Sequence, residues 1–287
     1  MNINKLVENL LPSFVLHYFL PKTKVIKLGK IQFIKDSDEI IVLGNGPSLK
    51  KDLERLPLTK RRFDFFCVNN FCSSPYFETL KPNKYIFLDA YFFSKNAHPD
   101  WVKQREDTFK TLNLKTKWKM QIFLPLNADD SILTNCIKNN NIEIIKMKVR
   151  GKNFKNPKIA VKKYLTGLYG PTQCNVLIYA IYLSIWSNYK KIRVIGADLN
   201  FHNDVEVNQQ NNHLEITFKH FNQENHTERL MKNPSKIKPF SMAELMQTTS
   251  DTFRAHELIQ EFADEKNIDI VNSSSFSMID AYRRETL

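Results

Sequence analysis

Short apolar runs of strand length alternate with polar and helical stretches along this chain of 287 residues. Such alternation is typical of a mostly parallel sheet covered by helices on both faces, so we predict an α/β fold with a doubly wound sheet. The predicted strands are 39–43, 63–68, 85–88, 120–124, 142–147, 191–195 and 268–271. The predicted helices are 49–56, a stretch from residue 130, 171–187, 251–266 and a last short one at 277–284.

Polar or glycine residues follow four of these strands directly. They are Gly44-Asn45-Gly46, Asn69-Asn70, Asp89 and Gly196-Ala197-Asp198. Ligands of open α/β sheets bind beyond the carboxyl ends of the strands. The pattern therefore predicts one shared crevice that these strand ends line together.

The segment Gly44-Asn45-Gly46-Pro47-Ser48 stands between a predicted strand and a predicted helix. Backbone N–H groups at such a junction form a site for anions, and glycine allows a phosphate to approach closely. Pro47 suits a first helical turn and Ser48 can cap it. Asn45 can bond a phosphate, a ribose or a base. The segment matches neither the dinucleotide fingerprint nor a P-loop, and a tight turn without a ligand is the alternative.

A long polar segment, at about 201–240, interrupts the strand–helix pattern. Long loops in compact domains are usually lids or disordered insertions, and we favour a lid because the segment follows a strand end. It contains His202, His213, His220 and His226. One of them is a candidate for acid–base work, with solvated lid residues as the alternative. Their spacing is not that of a helical metal motif, so we predict no metal site.

Two basic segments are of interest. Residues 1–35 form a predicted N-terminal amphipathic helix and lead-in, with apolar positions at helical spacing up to Pro21 and flanking lysines. This helix either packs on the core or lies on an anionic membrane surface. Arg150, Lys152, Lys162 and Lys163 precede Thr166-Gly167 and either face an anion or form a solvated run of charge.

The net charge of +12 favours anionic partners. We expect no nucleic-acid partner, since no zinc-finger, RNP-type or helix-turn-helix pattern is present.

The four cysteines are widely spaced along the chain, except for the pair Cys67 and Cys72. This spacing suits buried reduced thiols better than disulfides. No signal peptide and no apolar run of membrane-spanning length is found, so we expect a cytoplasmic protein, with peripheral contact to the inner membrane as the alternative.

Three motifs carry a family resemblance. Ile-Ile-Val-Leu-Gly-Asn-Gly-Pro-Ser-Leu-Lys at 40–50, Cys-Val-Asn-Asn-Phe at 67–71 and Lys-Tyr-Ile-Phe-Leu-Asp at 84–89 resemble the start of the bacterial lipooligosaccharide sialyltransferases. The strand ending in Gly196-Ala197-Asp198 and the segment 272–282 resemble later parts of that family. The wider group sharing Gly-Asn-Gly-Pro-Ser-Leu includes Kdo-transferase-like, capsule and O-antigen transferases, motility-associated glycosylation proteins and a pterin pyrophosphokinase branch.

The resemblance implies a single Rossmann-like domain, here residues 36–287, with a lid. It also implies a glycosyltransferase that moves a sialic acid- or Kdo-like sugar from a CMP donor to a glycan or lipid-linked acceptor, without a cofactor or metal. By position, Asn45 and Asn69 would contact the nucleotide and Thr172 would lie near the donor phosphate or carboxylate. The other predicted nucleotide-site residues are Gly44, Gly46, Ser48, Gly196 and Asp198.

Three positions depart from the family pattern. Where the family has its catalytic histidine this chain has Met246 or a neighbour, and an assisting tyrosine falls near Asn200. Asp89 replaces an asparagine. We therefore hypothesise that Asp89 is the nucleophile of a retaining transfer, with His220 or His202 handling the acceptor proton. The alternative is that Asp89 bonds a loop or a ribose. The alternative functions are a pterin-type pyrophosphokinase that uses ATP and magnesium, and a non-catalytic nucleotide-binding module.

Overall fold

The computed structural model describes residues 23–57, 63–219, 225–232 and 234–287. The predicted N-terminal helix and the candidate His220 lie outside these residues.

A nine-stranded, fully parallel sheet forms the centre of the fold, in the order β1-β6-β5-β4-β3-β2-β9-β13-β14. Its strands are β1 Lys24–Ile26, β2 Glu39–Leu43, β3 Asp64–Val68, β4 Lys84–Ile86, β5 Met120–Pro125, β6 Ile142–Met147, β9 Lys191–Ile195, β13 Asp269–Asn272 and β14 Arg283–Arg284. A two-stranded ladder joins β7 Arg150–Gly151 to β8 Tyr169–Gly170. The α/β, doubly wound prediction is confirmed.

Helices cover both faces of the sheet. They are α1 Leu49–Glu54, α2 Phe77–Leu80, α3 Pro99–Lys115, α4 Ser131–Cys136, α5 Pro157–Tyr164, α6 Val176–Trp186 and α7 Met242–Glu265. Two apolar clusters result, one on each face: α5, α6 and α7 pack on the first, and α1, α3 and α4 on the second. Burial of both faces is why the central strands are continuous apolar runs.

One helix prediction needs correction, and one helix was not predicted. The segment 277–284 is not helical, because its backbone bonds elsewhere: Met278 N–H donates to the Asp198 carbonyl. Helix α3 was not predicted from the sequence. Its buried side includes Arg105 and Thr108 beside Phe109 and Leu112, so its apolar stripe is short.

The domain begins earlier than predicted. Strand β1 pairs with β6, and Leu28 is buried in the core, so part of the predicted lead-in belongs to the sheet domain. The 201–240 segment is less irregular than expected, since it contains an antiparallel sheet of β10 Val205–Val207, β11 Leu214–Phe218 and β12 His226–Arg229.

Cys67 and Cys72 are buried free thiols, and Cys136 and Cys174 are free and partly buried. Burial raises the pKa of the Cys72 thiol to about 12. Within the described ranges, no helix combines the length and the apolar character that crossing a bilayer requires.

Candidate functional site

The glycine loop after β2 packs against the end of β9. A Cβ atom on Gly44 would lie 2.2 Å from the Gly196 carbonyl oxygen, and one on Gly46 would lie 2.1 Å from Oδ2 of Asp198. Gly196 has φ of +61°, a left-handed conformation that glycine adopts without strain. These glycines are therefore required by close contact between two strand ends.

Most N–H groups of this loop bond inside the protein. Gly44 and Gly46 donate to the carbonyls of Ile195 and Gly196, each over 2.9 Å. The Ser48 N–H donates to the Asp198 carboxylate at 3.2 and 3.3 Å. The predicted phosphate cradle of backbone N–H groups therefore needs correction, because a carboxylate of the protein occupies the place expected for the anion.

Ser48 and Asp198 form a clamp between the two strand ends. Ser48 Oγ donates to Asp198 Oδ2 over 2.7 Å, and the serine makes no side-chain cap to α1, contrary to the prediction. Buried Asp52 continues the network: it accepts from Ser48 Oγ, from the Gly196 N–H and from the Ser275 N–H. Burial raises the pKa of Asp198. Asp198 thus accepts the hydrogen bonds of the glycine loop from inside the protein.

An open cavity of about 230 Å³ lies beyond the carboxyl ends of β2, β3 and β9. It collects the predicted residues Gly44, Asn45, Gly46, Asn69, Gly196 and Asp198. Asn175, Phe201 and Lys219 also line the cavity but were not predicted from the sequence. Asn200 lines it too, and the sequence analysis names it only as a position that departs from the family pattern. Asn175 had a local signal, since it precedes the apolar run of α6 and caps that helix by accepting from the Leu177 N–H. Lys219 has no local sequence signal, because its position depends on how the 201–240 segment packs against the strand ends.

A larger cavity, about 760 Å³, lies at the opposite edge of the sheet, where Asp64, Asn83, Met120 and Ile142 begin or precede their strands. Ligands of parallel α/β sheets bind at the carboxyl ends instead. The smaller cavity, with its converging amide groups, is therefore the better candidate.

Asn69 and Asp89 form the most specific polar pair at this cavity. Asn69 has φ of +49°, which asparagine tolerates better than most residues. Its Nδ2 donates to Asp89 Oδ2 over 2.8 Å, while its buried Oδ1 has no hydrogen-bond partner within the described ranges. Burial raises the pKa of Asp89, and the Asn69 bond partly opposes this. Asp89 itself is not among the residues that line the cavity.

The other predicted residues lie apart from the cavity lining. His202 follows Phe201 and packs edge-on against Phe253 of α7, with its Nδ1 buried and lacking a partner in the described structure. Thr172 donates its N–H to Asn153 Oδ1. Met246 lies exposed on α7. Within the described residues, no group of three or more His, Cys, Asp or Glu side chains is arranged to hold a metal ion.

No protein-family model matches the chain, and no curated protein matches it. A solved structure described as MAf glycosyltransferase from Magnetospirillum magneticum AMB-1 is similar, with a TM-score of 0.48 and 10% sequence identity. The similarity covers 93% of this chain and 36% of that one, so the chain spans about a third of that protein's length.

Proposed function

We propose that this chain is a glycosyltransferase that takes a sialic acid- or Kdo-like sugar from a CMP donor, without a metal, and passes it to a glycan or lipid-linked acceptor. The observation that carries the proposal is the Asn69 amide, whose Oδ1 is buried beside the cavity without a hydrogen-bond partner in the described structure. Buried polar atoms are rarely left unpaired in native proteins, so this oxygen indicates a ligand that donates a hydrogen bond.

The bond between Asn69 and Asp89 decides which part of a nucleotide-sugar can bind to Asn69. Because Asn69 Nδ2 donates to Asp89, the free atom of this amide is an acceptor. A nucleoside hydroxyl or an exocyclic base amine can donate to it, and a phosphate oxygen cannot. Asn69 therefore suits the nucleoside part of the donor. The resemblance of the surrounding motifs to CMP-dependent transferases supports cytidine in this place.

The departing phosphate needs a positive group. Lys219 lines the same cavity, where its ammonium group would attract a phosphate, and Asp204 forms an ion pair with it. A cation of the protein would thus do the work that a metal ion does in other transferases. Residues Gly44, Gly46 and Gly196 would shape the wall against which the donor packs.

The cavity is small compared with the roughly 300–1,000 Å³ of typical ligand pockets. At about 230 Å³ it holds one part of a nucleotide-sugar, and the sugar would extend over its open side towards the 201–240 segment. That segment would then close over the sugar, as a lid does.

The first test is a thermal-shift series with CMP, CDP, UDP, GDP and ATP, each with and without EDTA. CMP at about 100 times its Kd would stabilise the fold by roughly 2.7 kcal/mol, and EDTA would not change this. The variant Asn69→Ala should lose the shift, whereas Asn96→Ala, an exposed asparagine outside the cavity, should keep it. A shift given only by ATP with magnesium would favour a pyrophosphokinase, and a shift given by UDP or GDP alone would exclude the CMP donor.

A further inference from the structure

The chain between Ile144 and Ala197 contains no Asp or Glu, although it contains eleven Lys and Arg residues. Six of these basic residues lie between Val149 and the end of α5, and all six side chains are exposed. We call them the basic surface: Arg150, Lys152, Lys155, Lys158, Lys162 and Lys163. The salt bridges of the described residues include none of the six, although Lys146 and Arg254, which are also basic, form bridges with Asp130 and Glu257.

Large aliphatic side chains are exposed on the same surface. Ile159 is 48% exposed, Leu165 is 42% exposed and Leu168 is 41% exposed. At 100° per residue, Lys158, Ile159, Lys162, Lys163 and Leu165 fall within one arc of about 160° on α5 and its C-terminal residue. The buried side chains of α5, Ala160, Val161 and Tyr164, lie on the opposite side.

If these basic residues only kept the surface hydrated, the exposed isoleucine and leucine beside them would have no favourable effect. Helices that lie in a membrane interface combine lysine or arginine residues with large apolar side chains that the rest of the protein does not cover. There the lysines meet anionic headgroups and the aliphatic side chains enter the acyl boundary. We infer that the basic surface, together with Ile159, Leu165 and Leu168, binds the protein to an anionic lipid membrane.

The position of this surface suits a membrane-bound acceptor. Arg150–Gly151 pairs with Tyr169–Gly170, and Asn153 accepts from the Thr172 N–H, which ties the basic surface to the chain that leads to Asn175 in the cavity. The Arg150 end of the surface is therefore hydrogen-bonded to the chain that leads into the cavity. Glu261 of α7, which shares a shallow depression with Lys155 and Lys158, marks its acidic border.

The test is co-sedimentation of the full chain with vesicles of phosphatidylcholine alone or mixed with phosphatidylglycerol, without nucleotide. The protein should bind the anionic vesicles and leave the neutral ones largely unbound. The triple variant Lys158→Glu, Lys162→Glu and Lys163→Glu should bind at least ~tenfold more weakly, since each lysine near an anionic surface contributes about a fivefold factor. A matched triple variant, Lys103→Glu, Lys110→Glu and Lys117→Glu, changes the net charge equally on exposed positions of α3 and the residues after it, and should bind like the wild type.

A second variant distinguishes binding to a membrane from binding to a soluble polyanion. Ile159→Ser with Leu165→Ser keeps every charge, and it should weaken vesicle binding several-fold while leaving binding to dextran sulfate unchanged. Equal vesicle binding by the two lysine variants, or no effect of the serine variant, would overturn the inference. Amide hydrogen exchange of the wild type gives a measurement free of substitutions: anionic vesicles should protect peptides covering 157–168 and leave those covering 99–115 unchanged. Because no nucleotide is present, a negative result in these membrane experiments does not bear on the CMP proposal. A negative thermal-shift series likewise does not bear on membrane binding by the basic surface.

Discussion

Asn69 Nδ2 lies 2.8 Å from Oδ2 of Asp89, and this single bond fixes which end of the Asn69 amide faces away from the carboxylate. The bond also bears on the role of Asp89. A nucleophile must reach the sugar, whereas Asp89 lies outside the residues that line the cavity. This position and the bond to Asn69 fit the alternative, in which Asp89 bonds a loop residue, and its role as a nucleophile stays a prediction.

The variant Asp89→Asn tests this role. An asparagine there can still accept from Asn69 Nδ2, so we expect nucleotide binding and transfer to remain within a few-fold of the wild type. Asp89→Leu removes the acceptor and should raise KM for the donor more than it lowers kcat. If Asp89→Asn instead abolishes transfer while nucleotide binding is kept, and the wild type forms a glycosyl adduct detectable by intact mass, Asp89 is the nucleophile and the product retains the donor's configuration.

The clamp between Ser48 and Asp198 should matter for stability. Asp198→Ala leaves the buried Ser48 N–H without its acceptor, so we expect the free energy of unfolding to fall by about 1–3 kcal/mol in urea titrations. Asp280→Ala, on an exposed aspartate, should change it by no more than about 0.5 kcal/mol. Equal effects of the two variants would contradict the clamp.

Alanine at Gly44 should be poorly tolerated. Its Cβ would meet the Gly196 carbonyl oxygen at 2.2 Å, a backbone atom that moves only if β2 and β9 separate. We expect a loss of about 1–3 kcal/mol or more in unfolding free energy, as for other overpacked sites. Gly29→Ala is the control, because its added Cβ would find its nearest neighbour at an ordinary 3.7 Å from Trp186.

His256 should make the fold sensitive to acid. Burial lowers its pKa from 6.5 to about 3, and its Nδ1 lies 2.8 Å from the Tyr282 hydroxyl oxygen. Below about pH 6.5 this histidine is protonated in the unfolded chain but stays neutral in the folded chain. Stability from this group is therefore complete above pH 6.5 and falls towards pH 3, by up to about 1.4 kcal/mol per pH unit.

Urea titrations at pH 7, 6 and 5 measure this slope. His256→Gln should be less stable at pH 7, because it disturbs a buried contact, and should lose less stability between pH 7 and 5 than the wild type. His226→Gln, at an exposed histidine, should keep the wild-type slope. The same slope in His256→Gln and the wild type would show that His256 does not cause the acid sensitivity.

The amino-acid sequence by itself determined the strands and their class of sheet. Seven apolar runs bounded by polar residues predicted seven of the nine strands of the central sheet, because a strand buried on both faces has a local signature that no distant contact changes. The same rule placed Asn45 and Asn69 at one edge of the sheet. The short edge strands β1 and β14 lack such a signature, and they form only where β6 and β13 offer free backbone groups.

The tertiary structure decided what the polar residues at that edge do. Ser48 and Asp198 are 150 residues apart, yet their contact turns a predicted phosphate cradle into an internal clamp. Helix α3 likewise depends on Arg105, which is buried because the carbonyls of Tyr91 and Ser94 accept its hydrogen bonds. In each case a hydrogen-bonding group is satisfied by a partner that only folding brings near. Local sequence can show that such a group needs a partner, but it does not show whether that partner is a ligand or another part of the chain.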